Sequence, residues 1–188
     1  MARARSPEKR TAILEAAIEE IATSGLGAAT AKIASRAGIA SGTLFTYFPT
    51  KDDLLNELYL YLKLQVYARL NAGFPPKASL ERRAWHIWSS YLNWSIEYPK
   101  HRNVSTQLHV SNIVTPETNR KVAQQSTVIA RTMEEVAALK GMKELPGEFA
   151  SALMSSLQEA AMDTIALHPK QRDEISRQAF KAYWRAVR

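Results

Sequence analysis

Three features of this 188-residue chain predict an all-α fold. Apolar residues recur at three- and four-residue spacing along most of its length, and the strict alternation of a half-buried strand does not occur. Gly25, Gly38, Pro49, Gly73, Pro75, Pro76, Pro99, Pro116, Pro146 and Pro169 fall between those runs rather than inside them. The segment 80–98 is apolar almost all round, the pattern of a helix lying in the middle of a helical domain.

The first helix is expected to open with Ser6 as N-cap and Pro7 at the first helical position, where the missing N–H costs nothing. Ile13, Leu14, Ala17, Ile18 and Ile21 share one face, and Gly25 ends the run. A short second helix follows, with Thr30 expected as its N-cap, Ile33, Ala34 and Ala37 turned inward, and Gly38 at the position where a helix end turns left-handed. A third helix opens near Ser41, Gly42 and Thr43. Leu44 and Phe48 lie four apart on its inner side, leaving Ser41, Thr43, Phe45 and Tyr47 to face outward. Two short helices joined by so tight a turn cross steeply, and a glycine with small neighbours permits that crossing. This is the sequence form of a helix-turn-helix reader of double-stranded DNA.

Pro49 closes the third helix, and Thr50 with Asp53 reads as a relative of the capping box that starts a fourth. Lys51 then sits in the first turn, where the helix dipole disfavours a cation. A bound phosphate reverses that preference, because exposed N–H groups and the ammonium would point at it together. Leu54, Leu58, Leu62, Val66 and Leu70 carry this helix on for several turns.

Gly73-Phe74-Pro75-Pro76 marks a boundary, after which a second helical region is expected. Its first helix, 80–98, carries Trp85, Trp88, Leu92 and Ile96 on one stripe and Ile87, Tyr91, Trp94 and Tyr98 on another. Further helices are expected at about 100–113, 117–139, 147–167 and 170–187. The domain division expected from this pattern is residues 1–50 as a DNA-binding head and 51–188 as a second helical domain, with helix four as connector.

Net charge is +7, the isoelectric point is near 9.7 and mean hydropathy is -0.27, values that suit a polyanionic partner. The charge is concentrated: residues 1–51 hold seven Lys or Arg (3, 5, 9, 10, 32, 36, 51) against four Glu. There are no cysteines, which excludes disulfides and thiolate metal sites and suits a reducing compartment. No apolar run is long enough to cross a bilayer, and the basic start has no apolar segment behind it, so a cytoplasmic protein without membrane partner is expected. His86, His101, His109 and His168 show no metal-ligand spacing, and no nucleophile elbow, phosphate-binding glycine loop or zinc-protease motif is present. Neither metal, cofactor nor enzymatic activity is expected.

The stretch IASRAGIASGTLFTYFPTKDDLL resembles the DNA-binding signature of the tetracycline-repressor (TetR-like) family of helix-turn-helix transcriptional regulators. Ile33, Ala34, Ala37, Gly38, Gly42, Thr43, Leu44, Tyr47, Phe48, Lys51 and Leu54 fall on that pattern. Phe45 departs from it, standing where the family commonly has Tyr, and Ala40 stands where an N-capping Ser is common. The likeness extends over roughly residues 7–55. It implies a homodimeric regulator, most readily a repressor released from a palindromic operator by a small-molecule effector of unspecified chemistry. Expected DNA-contacting residues are Thr30, Lys32, Ser41, Gly42, Thr43, Phe45, Thr46, Tyr47 and Lys51. An effector pocket in the second domain is expected to be lined by Trp88, Tyr91, His109 and Met133. The last two helices are expected to form the dimer surface, through Phe149, Leu153, Leu157, Ala179 and Tyr183. An activator or ligand-independent regulator of the same fold, and a non-specific DNA-coating protein, stand as alternatives.

Overall fold

The computed structural model describes residues 6–125 and 127–188. Arg3 and Arg5, counted in the basic N-terminal balance, lie outside the described residues. Among the described residues the chain is all-helical: α1 (Pro7–Ser24), α2 (Thr30–Arg36), α3 (Ser41–Tyr47), α4 (Lys51–Asn71), α5 (Leu80–Glu97), α6 (Pro99–His109), α7 (Pro116–Gln124), α8 (Thr127–Ala137), α9 (Phe149–Leu167) and α10 (Arg172–Val187), with 3-10 turns at Lys140–Met142 and Pro169–Gln171. No helix among them is long and apolar enough to cross a membrane.

Packing gathers these helices into two compact units. One holds the described residues up to Gln65 together with Tyr98–Gln125; the other holds Val66–Glu97 together with everything described after Gln125. A packing unit need not coincide with a functional segment. Here α6 and α7 pack in the same unit as α1–α3, beyond the three helices expected to read DNA.

In the first unit α1 starts as its sequence dictates. The Ser6 Oγ accepts from the Lys9 N–H at 3.3 Å, and Pro7 occupies the first turn. Ile13, Leu14, Ala17, Ile18 and Ile21 are fully buried, against Ile33 and Ala34 of α2 and the inner side of α6. Each of the buried Ile and Leu side chains stabilises by about 1.5–3 kcal/mol relative to exposure. Glu15 and Glu19, half-buried on α1, tie down α4 and α6: Tyr61 Oη donates to Glu15 at 2.6 Å, and Lys100 Nζ reaches Glu19 at 2.5 Å. Burial, then the bond to Glu15, pushes the Tyr61 phenol up to about 12.

One side chain on α4 fastens the segment joining α6 to α7. Asn56 donates to the carbonyls of Asp52 (2.9 Å) and Ile113 (3.1 Å), and its oxygen accepts from the Thr115 N–H (2.9 Å) and the Thr118 hydroxyl (2.8 Å). Its full hydrogen-bonding capacity is therefore used, and two of the four bonds hold backbone groups, the Ile113 carbonyl and the Thr115 N–H, that lie outside any helix.

The single helix expected over 117–139 is instead α7 and α8. The apolar side of α7, Thr118 and Val122, is buried in the first unit, whereas Ile129, Thr132 and Val136 of α8 are buried in the second. Periodicity alone registers both runs as one amphipathic stretch.

The second unit is built round α5. Trp88 is fully buried, its Nε1 donates to Ser176 at 3.2 Å, and its ring lies 5.8 Å from Phe180 and 6.3 Å from Tyr183. Gln158 of α9 is also buried and donates to the Trp88 carbonyl at 3.2 Å. The α10 end runs over Gly141, where a Cβ would stand 2.3 Å from the Ala186 oxygen.

Candidate nucleic-acid interface

The α2–α3 pair is held together by backbone rather than by side-chain caps. Gly38 has a positive φ of 67°; its N–H donates to the Ser35 carbonyl (3.1 Å) and the next N–H, of Ile39, to Ala34 (3.0 Å). These two bonds are the Schellman arrangement, and they require a left-handed residue where Gly38 stands. Thr30 is the first residue of α2, not its cap: Ala29 is at the N-cap and no side chain bonds there. Ala40 holds the same place before α3, again without a side-chain bond, so both short helices depend on packing for their position. Leu44 and Phe48 supply it, at 0% and 2% exposure. Arg10 stacks its guanidinium 5.6 Å over the Phe48 ring while pairing with Glu57.

The outer side of α3 presents Ser41, Gly42, Phe45 and Thr46 as exposed residues, with Thr43 and Tyr47 half-buried beside them. Phe45 is 44% exposed, a large apolar area that the fold leaves to solvent. Thr46 turns its hydroxyl back to the Gly42 carbonyl (3.2 Å), which leaves the Ser41 and Thr43 hydroxyls as the less committed polar groups. Tyr47 Oη accepts from the Ser6 N–H at 3.1 Å, fastening the end of α3 to the start of α1 and leaving its own proton free to donate outward.

Gly42 is the informative residue. It lies inside a helix without positive φ, and a Cβ built there would meet nothing within 4 Å. Neither backbone conformation nor packing within the chain asks for glycine, which costs about 1 kcal/mol relative to alanine in a helix.

Where α4 begins, Thr50 and Asp53 close a reciprocal cap. The Asp53 N–H donates to Thr50 Oγ1 (3.0 Å), while Asp53 Oδ2 accepts from the Thr50 N–H (3.0 Å) and hydroxyl (2.8 Å). Lys51 follows, half-buried, with no acidic partner among the described residues. On α2, Lys32 is exposed, Thr30 is half-buried and Arg36 Nε pairs with Glu20 at 2.6 Å.

Residues 13–58, covering α1 from Ile13 onward, the whole turn and the start of α4, match the family described as "Bacterial regulatory proteins, tetR family". A chain from Shewanella sp. PV-4, assigned to the tetR family of transcription regulators, superposes with a TM-score of 0.82 at 26% identity, over 97% of this chain and 98% of that one. The chain is TetR-like. Among curated relatives, the fatty acid metabolism regulator protein of Bacillus subtilis (strain 168) is 34% identical over 82 residues, which is 43% of this chain. The matched stretch spans 42% of that relative's length. A Bacillus subtilis FadR structure solved with stearoyl-CoA covers 95% of this chain and 99% of its own with a TM-score of 0.69; at 19% identity that likeness shows the fold alone.

The remaining expected site residues of this TetR-like chain fall in different places. Trp88, Tyr91 and Met133 belong to the second unit and His109 to the first. Trp88 is committed to aromatic packing, and Met133 lines a cleft of about 390 Å³ with Ala130, Glu134, Ala137, Gly147 and Ser151. His109 Nδ1 lies 3.2 Å from the Tyr59 hydroxyl, and burial, then the Lys63 charge, holds its pKa below the usual histidine value. Of the residues expected on a subunit surface, Phe149 is exposed and Leu153, Leu157 and Ala179 are half-buried. Tyr183 is not on that surface. It is fully buried within the chain's own core and donates to the Ala150 carbonyl at 3.2 Å. The roles of Arg10, Asn56 and Gly141 carried no signal that spacing could register, since each depends on a partner more than 40 residues away.

Proposed function

We propose that the chain acts as a homodimeric transcriptional regulator that reads a palindromic operator through α3, most readily a repressor released by a small-molecule effector. The likeness to the tetR family over residues 13–58 supports the class, and Gly42 supports the surface. A helix glycine that nothing inside the chain requires fits a place where a DNA backbone approaches closely. In this reading Ser41 and Thr43 contact base edges, Phe45 packs on sugar or a thymine methyl, and Tyr47, Lys51, Thr30 and Lys32 hold phosphates.

A dimer would place two copies of α3 about 34–36 Å apart, or a multiple of that, to meet successive major grooves. For the subunit surface we propose the outer faces of α9 and α10, where Leu157, Ala160, Thr164, Ile175 and Ala179 line an open groove of about 320 Å³. The fatty acid regulator and the stearoyl-CoA complex among the similar proteins make acyl compounds the first effector class to screen.

Selection of binding sites from random duplexes tests the reading. The expected outcome is a palindrome bound far more tightly than random DNA, with Thr43→Ala altering the preferred base at one position per half-site and Tyr47→Phe weakening all sites alike. A ratio near one between selected and random duplexes would favour a non-specific coating protein instead.

A further inference from the structure

Phe74 and Pro76, from the proline-rich segment between α4 and α5, stand at one side of an open cavity of about 530 Å³ within the second unit. Its other walls are Arg83 of α5 and Thr127, Val128, Arg131, Thr132 and Glu135 of α8. That volume suits a small organic ligand, and the lining combines three apolar residues with a polar remainder.

The charges in this cavity are ordered. Arg83 gives both Nη atoms to the two Glu135 oxygens, at 2.9 and 2.6 Å, and Nη1 also lies 3.4 Å from the Thr132 hydroxyl. The Arg83 hydrogen bonds hold the Glu135 carboxyl below the usual range, so the pair is a fixed, mutually neutralised ion pair. Arg83 Nε is buried without a partner. Arg131 is exposed one turn before Glu135 and influences it through space without a hydrogen bond among the described residues. With Arg83 and Glu135 cancelling, the lining keeps one surplus positive charge beside the Thr127 hydroxyl. Phe74 is held in place by an edge contact with His86 at 5.5 Å, and Val128 is 45% exposed.

We propose that this cavity binds an organic monoanion with a flat apolar body, the body lying against Phe74, Pro76 and Val128 and the anionic group meeting Arg131 and Thr127. A rigid planar acid suits the site because Phe74 and a guanidinium both offer planar faces, and it carries one negative charge for the one surplus cation. The site is independent of DNA reading, so its test needs no operator.

Calorimetric titration of the full chain with 2-naphthoate, 2-naphthol and acetate separates the contributions. Naphthoate is expected to bind saturably, and the other two each about tenfold or more weakly, naphthol because it lacks the charge-assisted hydrogen bond and acetate because it lacks the apolar body. Arg131→Gln should remove that preference for naphthoate over naphthol, and Val128→Asp should abolish binding of both. Both side chains are exposed, so thermal melting should be unchanged, and Arg185→Gln on α10, outside the cavity, should bind as the wild type does. Absence of saturable naphthoate binding up to millimolar concentration, or binding that ignores Arg131→Gln, overturns the assignment.

Discussion

The α2–α3 surface and the core round α5 obey different rules. In the core, side-chain choices answer to neighbours inside the chain: Trp88 stacks on Tyr183 and donates to Ser176, and Gln158 donates to the Trp88 carbonyl. On α3 the inner residues Leu44 and Phe48 are explained in the same way, but the outer ones are not. An uncapped seven-residue helix that exposes Phe45 and spends a glycine where a Cβ would meet nothing is poorly optimised for stability. Residues that a fold does not need are where function is found, because selection for stability alone would have replaced them.

The contrast breaks most visibly in the core. Trp88→Ala should cost about 3–5 kcal/mol, since a fully buried indole leaves a cavity that its neighbours fill only in part. Tyr183→Asp should be comparably severe, as it places an unpaired carboxylate where burial already pushes the phenol pKa well up. Denaturant unfolding followed by circular dichroism measures both. Were Tyr183 a subunit contact, the aspartate variant would instead give a stable monomer in sedimentation; loss of folding is the expected result.

Gly141→Ala should follow, at about 1–3 kcal/mol. The new methyl would stand 2.3 Å from the Ala186 oxygen and 2.9 Å from Val187 backbone atoms, and backbone at a helix end cannot swing aside as a side chain does. A lowered midpoint with unchanged denaturant slope would show that the loss lies in the native state. An alanine variant as stable as the parent would mean that the last turn of α10 is free to move.

Much of this architecture is legible in the chain, and the misreadings share one cause. The Ser6-Pro7 start, the Gly38 turn, the Thr50-Asp53 cap and the inward pair Leu44 and Phe48 are local, each determined by residues within a turn or two. The residue type of Thr30 favours a cap, yet the helix begins at Thr30 itself, with Ala29 as its half-turned neighbour. A stripe such as Ile175, Ala179, Tyr183 shows which side of α10 is apolar without showing what covers it. Ile175 and Ala179 border an open groove, whereas Tyr183, one turn on, is turned into the core. The separation of α7 from α8 is invisible for a related reason: both runs are amphipathic, and only the packed structure shows that their apolar sides are buried in different units.

Gly42→Ala sharpens the comparison from the other side. An exposed position in the first turn of a helix gains at most about 1 kcal/mol on that change, so the melting temperature should rise while affinity for a selected operator falls. Opposite signs in two assays on one variant are difficult to obtain from a residue chosen for packing. An alanine variant that binds DNA as well as the parent would remove the strongest support for close backbone approach at this point.

Lys51 should have the smallest effect on folding and a well-defined one on binding. It opens α4 next to a completed cap, and removing a cation from the positive end of a helix dipole is neutral or slightly stabilising. If each subunit places Lys51 on a phosphate, Lys51→Ala should weaken specific and random duplexes by similar factors. It should also flatten the dependence of log affinity on log salt by about 0.9 per contact, or about 1.8 for a dimer. Fluorescence anisotropy over a series of salt concentrations measures that slope directly. A lost slope of one contact rather than two would mean that only one subunit engages its half-site. An unchanged slope with a lowered melting temperature would place Lys51 with the residues the fold requires, on the core side of the comparison.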